Sequence, residues 1–323
     1  MRMLPIVFAA LALTACEKAS PSNNGSGALT AKEGELLAHL PPGGNIVFGG
    51  SLYNMQQRMQ ESALGRAQAK LADPALTAWN TCLAGKNMEM VGTATFADGE
   101  LGIRVYIRGV TLPEMQTCAQ TANLPLTSDP DGKFITVETT QQGTTAKTPY
   151  LAVAGGVYGL VSMGGLGELA LGGKPTLKEV SRAELEAEVA SLSKGTAATD
   201  PTITALLTKV DRRKMMWFAG SAAGTPLADK VVQGYGSFSI DNGIAVDVTV
   251  QPADPADGDR ALSQFSKMKS QLGQMPANMG ALKDAIRAIK LSRVGPAIRM
   301  QLSLTDQQID EIMKVAGPMM PGM

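Results

Sequence analysis

The feature that most constrains what this chain can fold into is a repeat of itself. Val47-Phe48-Gly49-Gly50-Ser51 matches Trp217-Phe218-Ala219-Gly220-Ser221, and each copy reads as an apolar strand ending in small residues. Further on, Gly92-Thr93-Ala94-Thr95-Phe96-Ala97-Asp98-Gly99 matches Gly236-Ser237-Phe238-Ser239-Ile240-Asp241-Asn242-Gly243. Asp98-Gly99 and Asn242-Gly243 are pairs that tolerate positive φ, and alternating runs follow them, Leu101 to Ile107 and Ile244 to Val250. Both therefore predict tight β-hairpins.

After each hairpin the pattern predicts a helix with a proline near its start, Leu112 to Ala122 in the first copy and about Ala256 to Gln274 in the second. Later in each copy a capping-box pattern predicts another helix start, Thr176-Leu177-Lys178-Glu179 and Thr305-Asp306-Gln307-Gln308. The first copy carries an extra helical stretch, about Met55 to Leu83, that the second largely lacks. Hairpins interspersed with helices argue for an α+β class. The expectation is two tandem related units of antiparallel sheet with helices packed on one face. The first unit would span residues 41–175 and the second 211–323. A helical connector, residues 176–210, would join them, interrupted at Gly195-Thr196-Ala197-Ala198-Thr199-Asp200-Pro201.

At 323 residues the chain is long enough to bury a full core. Its 29 basic side chains balance 29 acidic ones, so no strong field draws nucleic acid or anionic lipid to it. Aromatics make up only 4%, which leaves few of the stacking platforms that sugar binding uses.

The N-terminus carries its own signal. Met1-Arg2-Met3 supplies one positive charge, Leu4 to Leu13 is apolar, and Thr14-Ala15-Cys16 follows. That is the order of a secretory signal peptide, and the apolar run is about half the roughly 20 residues a helix needs to cross a bilayer. Leu13-Thr14-Ala15-Cys16 resembles the bacterial lipobox. The resemblance implies that residues 1–15 are removed and that Cys16 carries lipid as the new N-terminus, a membrane partner through the acyl chains. The bland alternative is an ordinary signal peptide with Cys16 a bystander. Glu17 to Ala28 is rich in Ser, Asn, Gly and Pro, the composition of a flexible tether, which is expected to run from residue 16 to about 40. Under the familiar Gram-negative sorting rule, Glu17 and Lys18 after the cysteine point to the outer membrane. The layout of the body resembles that of uncharacterised bacterial lipoproteins with tandem α+β units, a likeness of layout that carries no residue roles with it.

With Cys16 lipidated, only Cys82 and Cys118 remain. In an oxidising compartment they can form a disulfide; the other reading is two buried thiols packed as small apolar groups.

No pattern for catalysis, a cofactor or a metal emerges. The lone histidine, His39, cannot build a zinc site by itself, and HExxH, CxxC and GxSxG are all missing, so His39 reads as surface or packing. Ser-x-x-Lys occurs at Ser191 to Lys194 and Ser266 to Lys269 without the companion motifs of penicillin-recognising enzymes. Gly165-Leu166-Gly167-Glu168-Leu169-Ala170 formally matches a dinucleotide loop, yet Gly172, Gly173 and Pro175 interrupt the helix it would have to open. The glycines of the run Gly155 to Gly173 read as turns between Tyr150 to Ala154 and Val157 to Met163. The 18 methionines raise copper, but Met55 and Met59 stand at helical spacing and read as packing. Glu184, Glu186 and Glu188 read as the solvated face of a helix. The sequence thus favours a tethered envelope protein with a non-catalytic binding or scaffolding role and no nucleic-acid partner. A carrier of an apolar ligand and a hydrolase of unrecognised class are the alternatives.

Overall fold

The alternating runs on either side of the repeated hairpins become strands of a single antiparallel sheet. The computed structural model describes residues 30–51, 58, 61–62, 73–97, 100–141, 144–164, 176–199, 201–223, 225, 228–240, 243–272 and 280–316. The lipobox with Cys16, Met55 and Met59, the turn residues Asp98, Gly99, Asp241 and Asn242, and the glycine run from 165 onward lie outside the described residues.

In chain order the strands are β1 (Ile46–Ser51), β2 (Glu89–Ala97), β3 (Glu100–Arg108), β4 (Leu126–Ser128), β5 (Phe134–Gln141), β6 (Thr144–Val153) and β7 (Gly156–Gly164). They continue as β8 (Thr176–Lys178), β9 (Met216–Ser221), β10 (Val231–Ser239), β11 (Gly243–Pro252), β12 (Lys290–Val294) and β13 (Ala297–Thr305). The helices are α1 (Ala31–Leu37), α2 (Pro74–Ala84), α3 (Leu112–Thr121), α4 (Arg182–Ser191), α5 (Pro201–Leu207), α6 (Pro255–Gln271), α7 (Gly280–Ala288) and α8 (Asp306–Ala316). The sheet runs β12-β13-β11-β10-β9-β1-β2-β3-β7-β6-β5-β4, with β8 added on β7.

Next to the seam that order is symmetric about β1 and β9, the two copies of the first repeated strand, and the first unit adds further strands at its outer end. They pair antiparallel, so the units join edge to edge and neither leaves its first strand bare. Outward from this seam, β2 and β3 on one side correspond to β10 and β11 on the other. The matching glycines fit the matching phenylalanines: a Cβ on Gly92 would stand 2.3 Å from the Phe48 ring, and one on Gly236 3.0 Å from the Phe218 ring. Each ring thus lies over a cross-strand glycine backbone, which explains glycine in mid-strand at both places.

The sheet separates its side chains onto two faces by the strand period of two. One face carries α2 and α3 over the first unit, with Trp79, Leu112, Met115, Ile135 and Val157 in the core, and α6, α7 and α8 over the second, with Val246, Val248, Leu302 and Ile309. The opposite face is covered over the first unit by α1 and α4 and at the seam, against β9, by α5; together they bury Leu37, Leu185, Leu206 and Leu207 against Val47, Tyr106, Tyr158 and Trp217. The α+β class with antiparallel sheet in two related units therefore holds, one face is helix-covered along both units, and the first unit has a second helical layer as well.

The helices after the hairpins start as expected, with prolines in the first turn of α3 and α6. At α8 the Thr305 amide donates to Gln308 Oε1 at 2.8 Å and the Gln308 amide to Thr305 Oγ1 at 3.2 Å, closing the capping box. Its counterpart does not form. Thr176–Lys178 is a strand paired with Ser162–Gly164, and the capping box sits five residues later, where the Ser181 side chain accepts from the Glu184 amide. The Thr-x-x-Glu pattern lost because an open edge of β7 was available to hydrogen-bond the same residues. The 176–210 segment is consequently not helical throughout. Nor is the stretch expected as a tether irregular up to residue 40: α1 closes its own capping box from Thr30 to Glu33, and Leu36, Leu37 and Leu40 are buried, because leucines at that spacing share one helical face.

Cys82 in α2 and Cys118 in α3 are joined by a disulfide, with Cα atoms 5.5 Å apart. It ties together the two helices that cover one face of the first unit.

Candidate functional site

Strand alternation places Glu100, Gly102 and Arg104 of β3 on the same face as Thr95 of β2 and Leu160 and Ser162 of β7. Helix α4 crosses above them, and between helix and sheet lies an open groove of about 670 Å3. Its wall is formed by Val180 and by Glu184, Ala187, Glu188 and Ser191 of α4, residues at i, i+3, i+4 and i+7 that share one side of a helix. Gly102 is the low point of the floor. A Cβ there would meet only the Arg104 guanidinium, at 3.2 Å.

The groove is organised by one ion pair. Arg104 Nε donates to Glu188 Oε2 at 2.7 Å and Nη2 donates to Glu188 Oε1 at 2.6 Å, a bidentate contact, while Nη1 donates to Thr95 Oγ1 at 3.1 Å. The two side chains are 18% and 24% exposed, so the pair is shielded enough to fix geometry. Hydrogen bonding to Glu188 holds the guanidinium still more firmly protonated than usual. Beside the pair lies Tyr158, whose hydroxyl is buried and has no hydrogen-bond partner among the described residues. Burial pushes its phenol up, the Glu188 charge adds to this and the Arg104 charge opposes it. Thr93, which stands directly opposite Arg104 on β2, has the other buried hydroxyl without a partner among the described residues.

The remaining charges near the groove are also held in structural roles. Glu184 accepts from the Ser181 amide at 2.7 Å and from its hydroxyl at 2.6 Å, which holds its carboxyl below the usual range. Lys178 of β8 donates to Glu100, and Ser191 Oγ donates to the Glu188 carbonyl at 2.6 Å. In these contacts the Ser181 hydroxyl and the Glu184 carboxylate close the capping box of α4, and the Arg104 guanidinium is tied to Glu188 and Thr95.

The second unit answers differently at the same place. Opposite Ser237, the counterpart of Thr93, stands Asp247, which accepts from Arg299 Nε at 2.7 Å and from Gln301 Nε2 at 2.9 Å. The charge is satisfied within the sheet, and α8 lies on the other face.

The residues singled out in the sequence disperse. His39 stacks on Tyr106, ring centroids 3.9 Å apart, and its burial lowers the imidazole below its ordinary range. Ser191 bonds within α4, and Ser266 Oγ donates to the Leu262 carbonyl while Lys269 donates to the Arg287 and Ile289 carbonyls, so neither Ser-x-x-Lys brings its serine to its lysine. Gly155 makes the β6–β7 turn at φ 76°. Of the three glutamates read as a solvated face, Glu186 pairs with Arg182 and Glu188 turns inward to Arg104, a correction that no helical periodicity would give because the partner lies 84 residues away. The signal was Arg104 itself, a charge in the alternating run Leu101 to Ile107.

Among the described residues no group of three or more His, Cys, Asp or Glu side chains is placed to hold a metal ion, and no helix is long and apolar enough to cross a membrane.

Two solved structures are similar along most of this chain. Crystal form I of TP0453 aligns with 87% of this chain and 97% of its own, at 6% identity and a TM-score of 0.43. Crystal form III of TP0453 aligns with 86% and 96%, at 7% identity and a TM-score of 0.45. No protein-family model matches the chain, and no curated protein matches it in sequence.

Proposed function

We propose that this chain is a lipid-tethered protein of the bacterial cell envelope whose folded body binds a small molecule or peptide without transforming it, and that the groove under α4 is the binding site. The observation that supports binding over catalysis is the arrangement at Arg104: its guanidinium is fixed by Glu188 and Thr95, in an open cleft of a size usual for small-molecule sites. The tether rests on the lipobox-like Leu13-Thr14-Ala15-Cys16 and the polar stretch to Ala28. The composition, with its balanced charge and few aromatics, supports neither nucleic acid nor glycan as partner.

The tether is tested by expressing the chain in a bacterial host fed radioactive palmitate. Label should enter the protein and fractionate with the outer membrane, and Cys16→Ala should lose both label and membrane association. Label retained by Cys16→Ala, or a native product that still begins at Met1, sinks the reading.

A further inference from the structure

We infer that the loop between α5 and β9, residues 208–215, docks on the anionic headgroups of a phospholipid bilayer and so fixes which end of the body faces the membrane. This rests on the tether proposed above for the nearness of a membrane, while the test below does not require a lipidated chain.

The tether enters the body beside this loop. At the start of α1 the Thr30 amide and hydroxyl both donate to Glu33 Oε2 at 2.8 Å. Arg212 Nε donates to the other oxygen of that carboxylate, Oε1, also at 2.8 Å, and the Arg212 side chain is only 4% exposed. One carboxylate thus joins the first turn of α1 to the loop. Thr30 follows Cys16 by fourteen residues, which span no more than about 50 Å at full extension, so an acylated Cys16 keeps this end of the body within that distance of the bilayer.

The charge of the whole chain is balanced, but at this end it is not. β2 begins at Glu89, β3 ends at Arg108 and β9 begins at Met216, and the strand register sets all three at the same end of the sheet. Lys32, Arg108, Lys209, Arg212, Arg213 and Lys214 gather there against Glu33, Glu35, Glu89 and Asp211, six cations to four carboxylates. Depth widens the difference. Glu33, Glu89 and Asp211 are each less than a third exposed and are held by Arg212, by Lys32 with Arg108, and by Arg213. Lys32 and Arg213 are 61% and 62% exposed, and Lys209 and Lys214 are exposed as well. Neither of these two lysines pairs with a carboxylate among the described residues; the Lys209 ammonium lies 5.8 Å from the centre of the Tyr235 ring, a contact that leaves its charge in place. Of the four acids only Glu35 stands out as far. A flat anionic surface brought up to this end therefore meets an outer layer of four cations and one carboxylate. A lipid surface needs no pocket to receive cations presented in this way, and the attraction is screened by salt, so it orients a tethered body and does not anchor it.

The test uses residues 16–323 with Cys16→Ala, so that no acyl chain contributes, in sedimentation with vesicles at low ionic strength. Vesicles of equal parts phosphatidylglycerol and phosphatidylcholine should carry the protein down, added salt should release it, and vesicles of phosphatidylcholine alone should leave it in solution. Lys209→Gln/Arg213→Gln/Lys214→Gln removes exposed charges and leaves Arg212 in place, so its melting curve should match the parent's while its partition onto the anionic vesicles falls about tenfold. Lys267→Gln/Lys283→Gln/Lys290→Gln removes the same charge from the second unit and should partition within about twofold of the parent. Equal losses in the two triple variants overturn the proposal, because binding would then follow the charge of the whole chain. Equal partition onto both kinds of vesicle overturns it as well, since the headgroup charge would not matter. No sedimentation with either removes the docking surface and leaves the tether standing, because acylation of Cys16 is read separately by the palmitate label.

Discussion

Phe48 and Phe218 stand directly opposite each other across the β1–β9 seam, and they are also each other's counterparts in the repeat. An approximate two-fold axis therefore passes between them. Each ring covers the glycine on its outer neighbour, Gly92 or Gly236, so side-chain bulk and backbone bareness are matched on both sides of the axis.

This fit makes Gly92 sensitive. A Cβ there would press on the Phe48 ring and stand 2.7 Å from the Arg104 carbonyl. Gly92→Ala should destabilise by about 1 to 3 kcal/mol through overpacking. Gly234→Ala, where the nearest atom would be 3.5 Å away, should change stability by less than about 1 kcal/mol. Chemical denaturation of the two variants checks the order; equal losses would contradict the packing described.

The disulfide spans 36 residues, and in the chain-entropy account closing a loop of that length stabilises by about 3 to 4 kcal/mol. Cys82→Ala/Cys118→Ala should lower stability by roughly that amount. Reducing agent should then lower the parent protein toward the variant and leave the variant unchanged. Melting curves with and without reductant decide it.

The Arg104–Glu188 pair predicts an asymmetry. Glu188→Gln strips the guanidinium of its charged partner in a shielded place and should cost about 1 to 3 kcal/mol. Arg104→Met/Glu188→Leu, which leaves no uncompensated charge, should be less destabilised than the sum of its single variants. A double-mutant cycle showing strict additivity would mean that the pair contributes nothing.

Acid should weaken the fold in a defined window. The Lys86 ammonium and the Thr111 cap hold the Glu114 carboxyl at about 2, and the Arg182 guanidinium with the Lys133 amide holds that of Asp131 at about 2. Both values lie below those of the unfolded chain, so this stabilisation is complete above about pH 5 and is lost as pH falls toward 2. Glu114→Gln should flatten that part of the stability profile, measured by urea denaturation from pH 7 to 2.5. An unchanged slope would show that the contacts at Glu114 do not persist in solution.

The legible parts of this fold are those decided within a few residues. Prolines at the starts of α3 and α6, the Thr305–Gln308 capping box and the alternation along β3 and β11 were all readable, because a turn, a cap or a pleat is closed by near neighbours. The same reasoning misplaced the start of α4, where Thr176 offered a cap and the edge of β7 offered a ladder. The groove was illegible for a related reason: its acids stand on α4 and β3, and the residue that organises them, Arg104, reads in isolation as an exposed strand position.

From the sequence by itself come the repeat, the order of elements within each unit and the two cysteines available to pair. Only the tertiary structure decided that the units fuse through β1 and β9 into one sheet, and that α4 lies on one face while its counterpart α8 lies on the other. A repeated pattern specifies which side of each strand is apolar. Which helix covers that side depends on the surface left over by every other element, and contacts such as Arg104 with Glu188 arise only once the chain has closed on itself.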